Sequence, residues 1–350
     1  MNIQLIPPLL SESHIDQKIS CIRAHRERIF NLSTEQLNKK ILFHNYGHGG
    51  AGWTFLFGCV NESVRQFEEA LQENPSLQGK PICVIGAGCY GLLTAIMLAA
   101  KGYAVRIVAK DTHTISSYKA AGFFFPRWRK SSTAQEKQIF LSRGIESYKT
   151  YLDIYNGTHP FIKKGPQIVP AYYGLDIDPG FAPYIESNLM QEPKEVTIDF
   201  GNGKQYAARE YQTIFINPAD IMQELQRAKD ELSITITQQE ISSFAAVPED
   251  IIFNCAGLGA KALTQDTRVI PIQGHLITLK NQSRERLHYM INMKVVMQNP
   301  DGSMRDELIY FAPKDEGILG ITFIRNQDSL AANQHEFDRL LQRSRDFFGT

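Results

Sequence analysis

The chain has 350 residues, 43% hydrophobic and 21% charged, with 37 basic side chains balanced by 37 acidic ones. That length allows two domains or one large one with ample core, and the neutral balance gives no electrostatic footprint for nucleic acid or a membrane surface. Five cysteines without regular spacing argue against a disulfide framework, and with no basic leader, no run of ~18 apolar residues and no peroxisomal ending, a cytoplasmic protein is expected.

Past a Pro-rich lead-in, a short strand is expected around Lys18–Ile22, within Cys21-Ile22-Arg23-Ala24-His25-Arg26-Glu27-Arg28. Two readings of this cationic cluster stand: a solvated basic face, or a strand end that holds Arg23. Next comes FHNYGHGGAGWT, residues 43–54, where Gly47, Gly49, Gly50 and Gly52 fall within six positions. So many glycines forbid a stable helix and describe backbone that approaches something flat or anionic. His44 and His48 are four apart, a metal-ligand spacing only on a helix, so no metal is expected there. The following 55–71 has helical periodicity, and its N-terminus aims at the glycine loop.

Asn74-Pro75-Ser76 and Gln78-Gly79 form a polar joint to the most informative stretch, Pro81–Asp111. An apolar run ends at Gly86-Ala87-Gly88-Cys89-Tyr90-Gly91, a helical pattern runs to Ala100, and a second buried strand covers Val105–Ala109. This is a βαβ unit with G-x-G-x-x-G at its first turn. Gly86 permits the turn, Gly88 lets N–H groups reach a pyrophosphate, and Gly91 lets helix and strand pack closely. Asp111 falls ~20 residues past the turn, the generic place for a carboxylate on the ribose.

Beyond it, YKAAGFFFP (118–126) sets small residues against an aromatic run, and 134–155 reads as a long helix. Pro-, Gly- and Tyr-rich strands and loops are expected over 172–209, and a helix over 217–231. Short strands follow at 234–237 and 251–253, the second running into Asn254-Cys255-Ala256-Gly257, small residues suited to the same nucleotide. Strands with an Asp301-Gly302 turn span 289–323, and a closing helix spans 337–348. No internal repeat is visible.

Together these stretches resemble the D-amino-acid oxidase and D-aspartate oxidase family of flavoproteins. The pieces are VIGAGCYGL, SSYKAAGFFFP, FNCAGLGA with PIQGH, LIYFAPKDEGILGITF, and CIRAHRERIF followed by HNYGHGGAGWT. The likeness is weakest over about 155–210. The last two segments close the family's chain but stand first here, which reads as a circular permutation. The resemblance implies an α/β protein (α+β overall), with a Rossmann-type FAD-binding domain and a mostly antiparallel β-sheet substrate domain. Residues 1–78 are then the moved C-terminal segment, 79–135 and 234–275 the FAD domain, and 136–233 and 276–350 the substrate domain.

The resemblance also implies site residues. Arg23 matches the arginine that holds the substrate carboxylate, Tyr310 the tyrosine that shares it, and Gly50 the backbone carbonyl that accepts from the substrate amine. Gly49, Gly50, Ala51, Gly52, Trp53 and Thr54 would surround the flavin ring, with Ala121 and Gly122 beside it; Gly86, Ala87, Gly88, Cys89, Tyr90, Gly91 and Gly257 would hold the nucleotide. Lys110 stands where the family has the ribose-binding acid, so either Asp111 takes over or the ribose is held otherwise. Phe125 and Asp306 replace a polar wall residue and a lid tyrosine. The implied reaction is oxidation of a D-amino acid to an imino acid by hydride transfer to FAD, with dioxygen as acceptor. No nucleic-acid or membrane partner is implied, and a homodimer is compatible. Two rivals remain: an oxidoreductase of the same fold acting on another amine or imino acid, and a flavin-binding protein without turnover.

Overall fold

The computed structural model describes residues 1–298, 301–331 and 333–350. In chain order its strands are β1 (Asn2–Gln4), β2 (Ile15–Arg26), β3 (Asn31–Leu37), β4 (Lys40–Tyr46), β5 (Ile82–Ile85), β6 (Val105–Ala109), β7 (Pro166–Gly174), β8 (Lys194–Asp199), β9 (Gln205–Ile216), β10 (Thr235–Gln238), β11 (Ile251–Asn254), β12 (Val269–Leu279), β13 (Met290–Gln298), β14 (Met304–Ala312), β15 (Ile318–Gly320) and β16 (Ile324–Arg325). The helices are α1 (Gly52–Glu73), α2 (Cys89–Ala100), α3 (Ala134–Tyr155), α4 (Ala182–Glu186), α5 (Pro218–Glu231), α6 (Ala260–Thr264) and α7 (Gln334–Phe348).

They form two sheets. The smaller has the order β10-β6-β5-β11-β4-β3 and is parallel except for edge strand β3. β5 and β11 are buried along their whole length, as expected of parallel strands covered on both faces. The larger sheet runs β1-β8-β9-β7-β13-β14-β15-β12-β16, with β2 also on β12. It is antiparallel apart from the pairs β1–β8 and β7–β13. Helix ends follow local chemistry: Thr133 and Glu136 close a capping box on α3, Asn217 caps α5 ahead of Pro218, and Gly349 at φ +76° ends α7.

The structure redraws several expected boundaries. β2 is a twelve-residue strand rather than a short one, because pairing with β12 from Arg26 to Ile15 carries the cationic cluster along with it. Arg23 therefore sits inside a strand, not at its end. α1 begins at Gly52, three residues before the expected start, since the preceding turn at Gly49–Ala51 leads straight into it. The expected boundary at 275 falls inside β12, which belongs to the large sheet. Residues 1–78 divide between both sheets: β1 and β2 join the large one, β3 and β4 the small one. The Asp301-Gly302 turn joins β13 and β14, whose ladder reaches Gln298 opposite Met304; residues 299–300 lie outside the described residues.

Candidate active site

A cavity of about 990 Å³ lies between the two sheets, at the upper end of the range for small-molecule and cofactor sites. On the small-sheet side it is bordered by the β5–α2 turn, Gly86 to Tyr90, and by Gly49 to Trp53 ahead of α1. Gly86 is at φ +109°, and a Cβ there would overlap the Cys255 carbonyl. Neither α1 nor α2 has a side-chain N-cap. The positive dipole ends of two helices thus converge on one cavity, an arrangement that suits an anion.

The two glycine loops are tied to each other. The Tyr90 hydroxyl donates to the Gly52 carbonyl at 2.7 Å, and His48 stacks on Tyr90 with centroids 3.9 Å apart. Trp53 Nε1 donates to the Ser117 carbonyl at 3.1 Å, while the Ser117 hydroxyl accepts from the Cys89 N–H at 3.2 Å. Ala121 and Gly122 follow from the same segment; Gly122, at φ +91°, has no room for a Cβ beside the Ile216 carbonyl. His44 turns away, with Nε2 on Glu35 at 2.9 Å and Nδ1 near Asn254, so His44 and His48 serve separate contacts.

The opposite wall comes from the large sheet. Arg23 lines the cavity from β2, and a Cβ on Gly274 of β12 would overlap its guanidinium, so that glycine makes the space. Gly50 borders the same group, since a Cβ there would stand 3.5 Å from Arg23 Cδ. Nη1 donates to the Thr322 carbonyl at 2.9 Å, and Phe323 lies beneath, 5.0 Å from the guanidinium carbon to the ring centroid. No carboxylate pairs with Arg23 among the described residues. Burial lowers its pKa, opposed by Cys21 and Tyr310, and a guanidinium stays cationic regardless. Tyr310 reaches in from β14, its ring 4.1 Å from that of Phe123. Burial drives its phenol well above the ordinary range, against the pull of Arg23.

Most of the expected residues thus share one cavity: Arg23, Tyr310, Gly49 to Trp53, Gly86 to Tyr90, Lys110, Asp111, Ala121, Gly122 and Gly257 all line it. Thr54 and Gly91 do not. Thr54 is buried behind the wall, its hydroxyl accepting from the Phe125 N–H at 3.1 Å; Gly91 packs against the Gly86 carbonyl with no space for a Cβ. At the far rim Lys110 pairs with Glu240 at 2.7 Å. Asp111 turns its carboxylate into its own loop, accepting from the N–H groups of His113 and Thr114 at 2.7 and 3.1 Å and from the Thr114 hydroxyl.

Sequence reasoning missed Glu240, Asn292, Lys294 and His25, which also line the cavity. Asn292 lies directly opposite Tyr310 in the β13–β14 ladder, and its buried Oδ1 has no hydrogen-bond partner among the described residues. Alternation along the hairpin would have found Asn292 and Lys294 had the register been known.

The fold and site define a dinucleotide-binding, two-sheet protein whose second wall presents a guanidinium to the cavity. The family model for DAO, FAD dependent oxidoreductase, matches residues 81–350, and the chain belongs to that family. It is similar to D-amino-acid oxidase of Rubrobacter xylanophilus, 23% identical over 264 residues and 74% of each chain. It is also similar to D-amino-acid oxidase of Dictyostelium discoideum, 27% identical over 218 residues and 58% of each. Among solved structures, glycine oxidase from Geobacillus kaustophilus shares the fold with a TM-score of 0.53 at 13% identity, covering 76% of this chain and 78% of that one. FAD is the cofactor, and the residues present suit it: Gly86 and Gly88 let backbone approach a ligand at the start of α2, and Gly49, Gly50 and Gly52 line the same cavity ahead of α1. No helix among the described residues is long and apolar enough to cross a membrane.

Proposed function

We propose that the protein oxidises a D-amino acid to its imino acid, which water hydrolyses to a 2-oxo acid and ammonia, with dioxygen as the terminal acceptor. The observation that carries this reading is the convergence of Arg23 and Tyr310 on one cavity wall with no carboxylate partner for the guanidinium among the described residues. The Nε–Nη2 edge of Arg23, which makes no hydrogen bond among the described residues, would take the substrate carboxylate as a fork and fix its plane. The Tyr310 hydroxyl, held neutral by burial, would donate to the same carboxylate. The Gly50 carbonyl, beside Arg23, would accept from the amine and so set which face of Cα is presented. When bound, FAD supplies the hydride acceptor. Gly86 to Tyr90 would hold its pyrophosphate, Gly49 to Trp53 with Ala121 and Gly122 its ring, and Glu240 its ribose.

We further infer a circular permutation that moves residues 1–78 to the front. Three observations support it. The family model begins at residue 81. β3 and β4 precede β5 in sequence yet complete its sheet beyond β11. Arg345 near the end of α7 donates to the Leu10 carbonyl at 2.7 and 2.9 Å, so the segments the family joins lie side by side, as permutation requires.

Arg23→Ala removes the charge-assisted fork. It is expected to raise KM for every active D-amino acid and lower kcat/KM about ten- to hundredfold, with Arg23→Lys recovering only part. Steady-state kinetics check this; an unchanged KM would remove Arg23 from the carboxylate.

A further inference from the structure

We propose that Arg343, on α7 and outside the cavity, is a positioning residue for the substrate carboxylate, acting on Arg23 through residues 320–322. The inference rests on Arg23 being the carboxylate anchor.

β14 alternates between two environments. Leu308 and Tyr310 face the cavity, whereas Ile309 and Phe311 pack with Phe337, Leu340 and Phe348 of α7. Glu307 faces α7 as well and is almost fully buried. Its Oε2 accepts from Arg343 Nη1 and its Oε1 from Arg339 Nη1, each at 2.8 Å. Burial pushes the Glu307 carboxyl up, but the Arg343 hydrogen bond and the charges of Arg343, Arg339 and Arg305 outweigh it and keep it below the usual range.

The other arm of Arg343 explains the placement. Nη2 donates to two successive carbonyls, Gly320 at 3.2 Å and Ile321 at 2.9 Å. The next carbonyl, Thr322, is the one that accepts from Arg23 Nη1. A second tether holds the same residue: the Thr322 hydroxyl accepts from the His275 N–H at 3.0 Å and meets its Nδ1 at 2.7 Å. His275 is in turn braced edge-on by Phe337 of α7, centroids 4.9 Å apart. One buried cluster therefore fixes the carbonyl that aims Arg23 and anchors the strand that carries Tyr310. Apolar side chains would fill this space with less desolvation; a planar guanidinium that holds Glu307 with one nitrogen and two carbonyls with the other fixes peptide orientation, which they could not do.

The test compares Arg343→Met, Arg343→Lys and Thr322→Val with Arg23→Ala in the FAD-loaded protein, measuring kcat, KM for an active D-amino acid and the Kd for acetate as a bare carboxylate probe. Arg343→Met is expected to raise KM and the acetate Kd about tenfold, with kcat within about twofold and FAD affinity unchanged. Arg343→Lys should recover little, because one ammonium nitrogen cannot take the places of both Nη1 on Glu307 and Nη2 on the two carbonyls. Thr322→Val, which leaves the Arg343–Glu307 pair intact, should raise both values about threefold and keeps the question answerable if Arg343→Met does not fold. An acetate Kd that moves in Arg23→Ala but in neither Arg343→Met nor Thr322→Val would overturn the positioning role. An acetate Kd unmoved by Arg23→Ala would instead overturn the carboxylate anchor itself.

Discussion

Asp111 commits both carboxylate oxygens to its own loop, and those N–H donors hold it below the ordinary carboxylate range. Lys110 beside it is a cation whose partner, Glu240, approaches from the end of β10. Of the two carboxylates that line the cavity among the described residues, Glu240 alone keeps an oxygen without a hydrogen-bond partner, and we propose that it accepts from the ribose hydroxyls. Glu240→Ala should therefore weaken FAD binding about three- to tenfold while leaving the affinity for FMN, which lacks the adenosine, unchanged. Fluorescence titration of the apoprotein measures both; equal losses for the two flavins would place Glu240 elsewhere. The sequence offered Lys110 and Asp111 because spacing along one strand is visible in it. Glu240 was not legible, because it lies 130 residues away and meets Lys110 only through the β10–β6 pairing. Arg23 was legible as a residue but not in its setting, since nothing local reveals that Gly274 opens the space for it.

At the scale of elements, the β5–α2 turn was legible almost completely from its glycines, and the structure adds why the last one is needed. A Cβ on Gly91 would overlap a backbone carbonyl of the same turn, which cannot move without moving Gly86. Gly91→Ala is expected to cost about 1–3 kcal/mol in stability and to lower FAD retention, although Gly91 does not line the cavity. Thermal unfolding of the apoprotein together with the flavin-to-protein ratio checks it; an unperturbed melt would mean that the turn has room to relax. The glycine loop at 47–52 was recognisable as irregular backbone near a flat group. Its partners were not, because Tyr90 reaches Gly52, and Ser117 and Tyr151 reach the adjoining Trp53, from three other parts of the chain. The length of β2 was hidden for the opposite reason: alternation fails where a strand carries charges into a cavity, and only its long pairing with β12 reveals its extent.

For the whole molecule, stability should depend on pH through two half-buried imidazoles. Burial, reinforced by Arg129 and Arg325, pushes His25 down to about 4; burial with Lys163 does the same to His159, again to about 4. An unfolded imidazole titrates near ~6.5, so as pH falls from there to about 4 the unfolded chain takes up protons that the folded one refuses. Stability is therefore present above ~6.5 and lost progressively across that window. The melting temperature should fall between those limits, and a His25→Gln, His159→Asn double variant should flatten the slope. A wild-type melting temperature constant across the window would contradict this. The order of segments was also legible at this scale, since the glycine loop precedes the nucleotide turn in plain sequence. That residues 1–78 would split between two sheets was not, because sheet membership is decided by pairing with strands far along the chain.

The most direct test of the central claim is the visible absorption spectrum of the purified protein, followed by anaerobic mixing with matched panels of D- and L-amino acids. An FAD-dependent oxidase of D-amino acids should show two flavin bands that bleach with the D-panel and not with the L-panel, and that return on admission of air. A protein that shows the bands but bleaches only with L-amino acids, or with neither panel, would contradict the proposed reaction. A colourless protein that cannot be reconstituted with FAD would contradict the site itself.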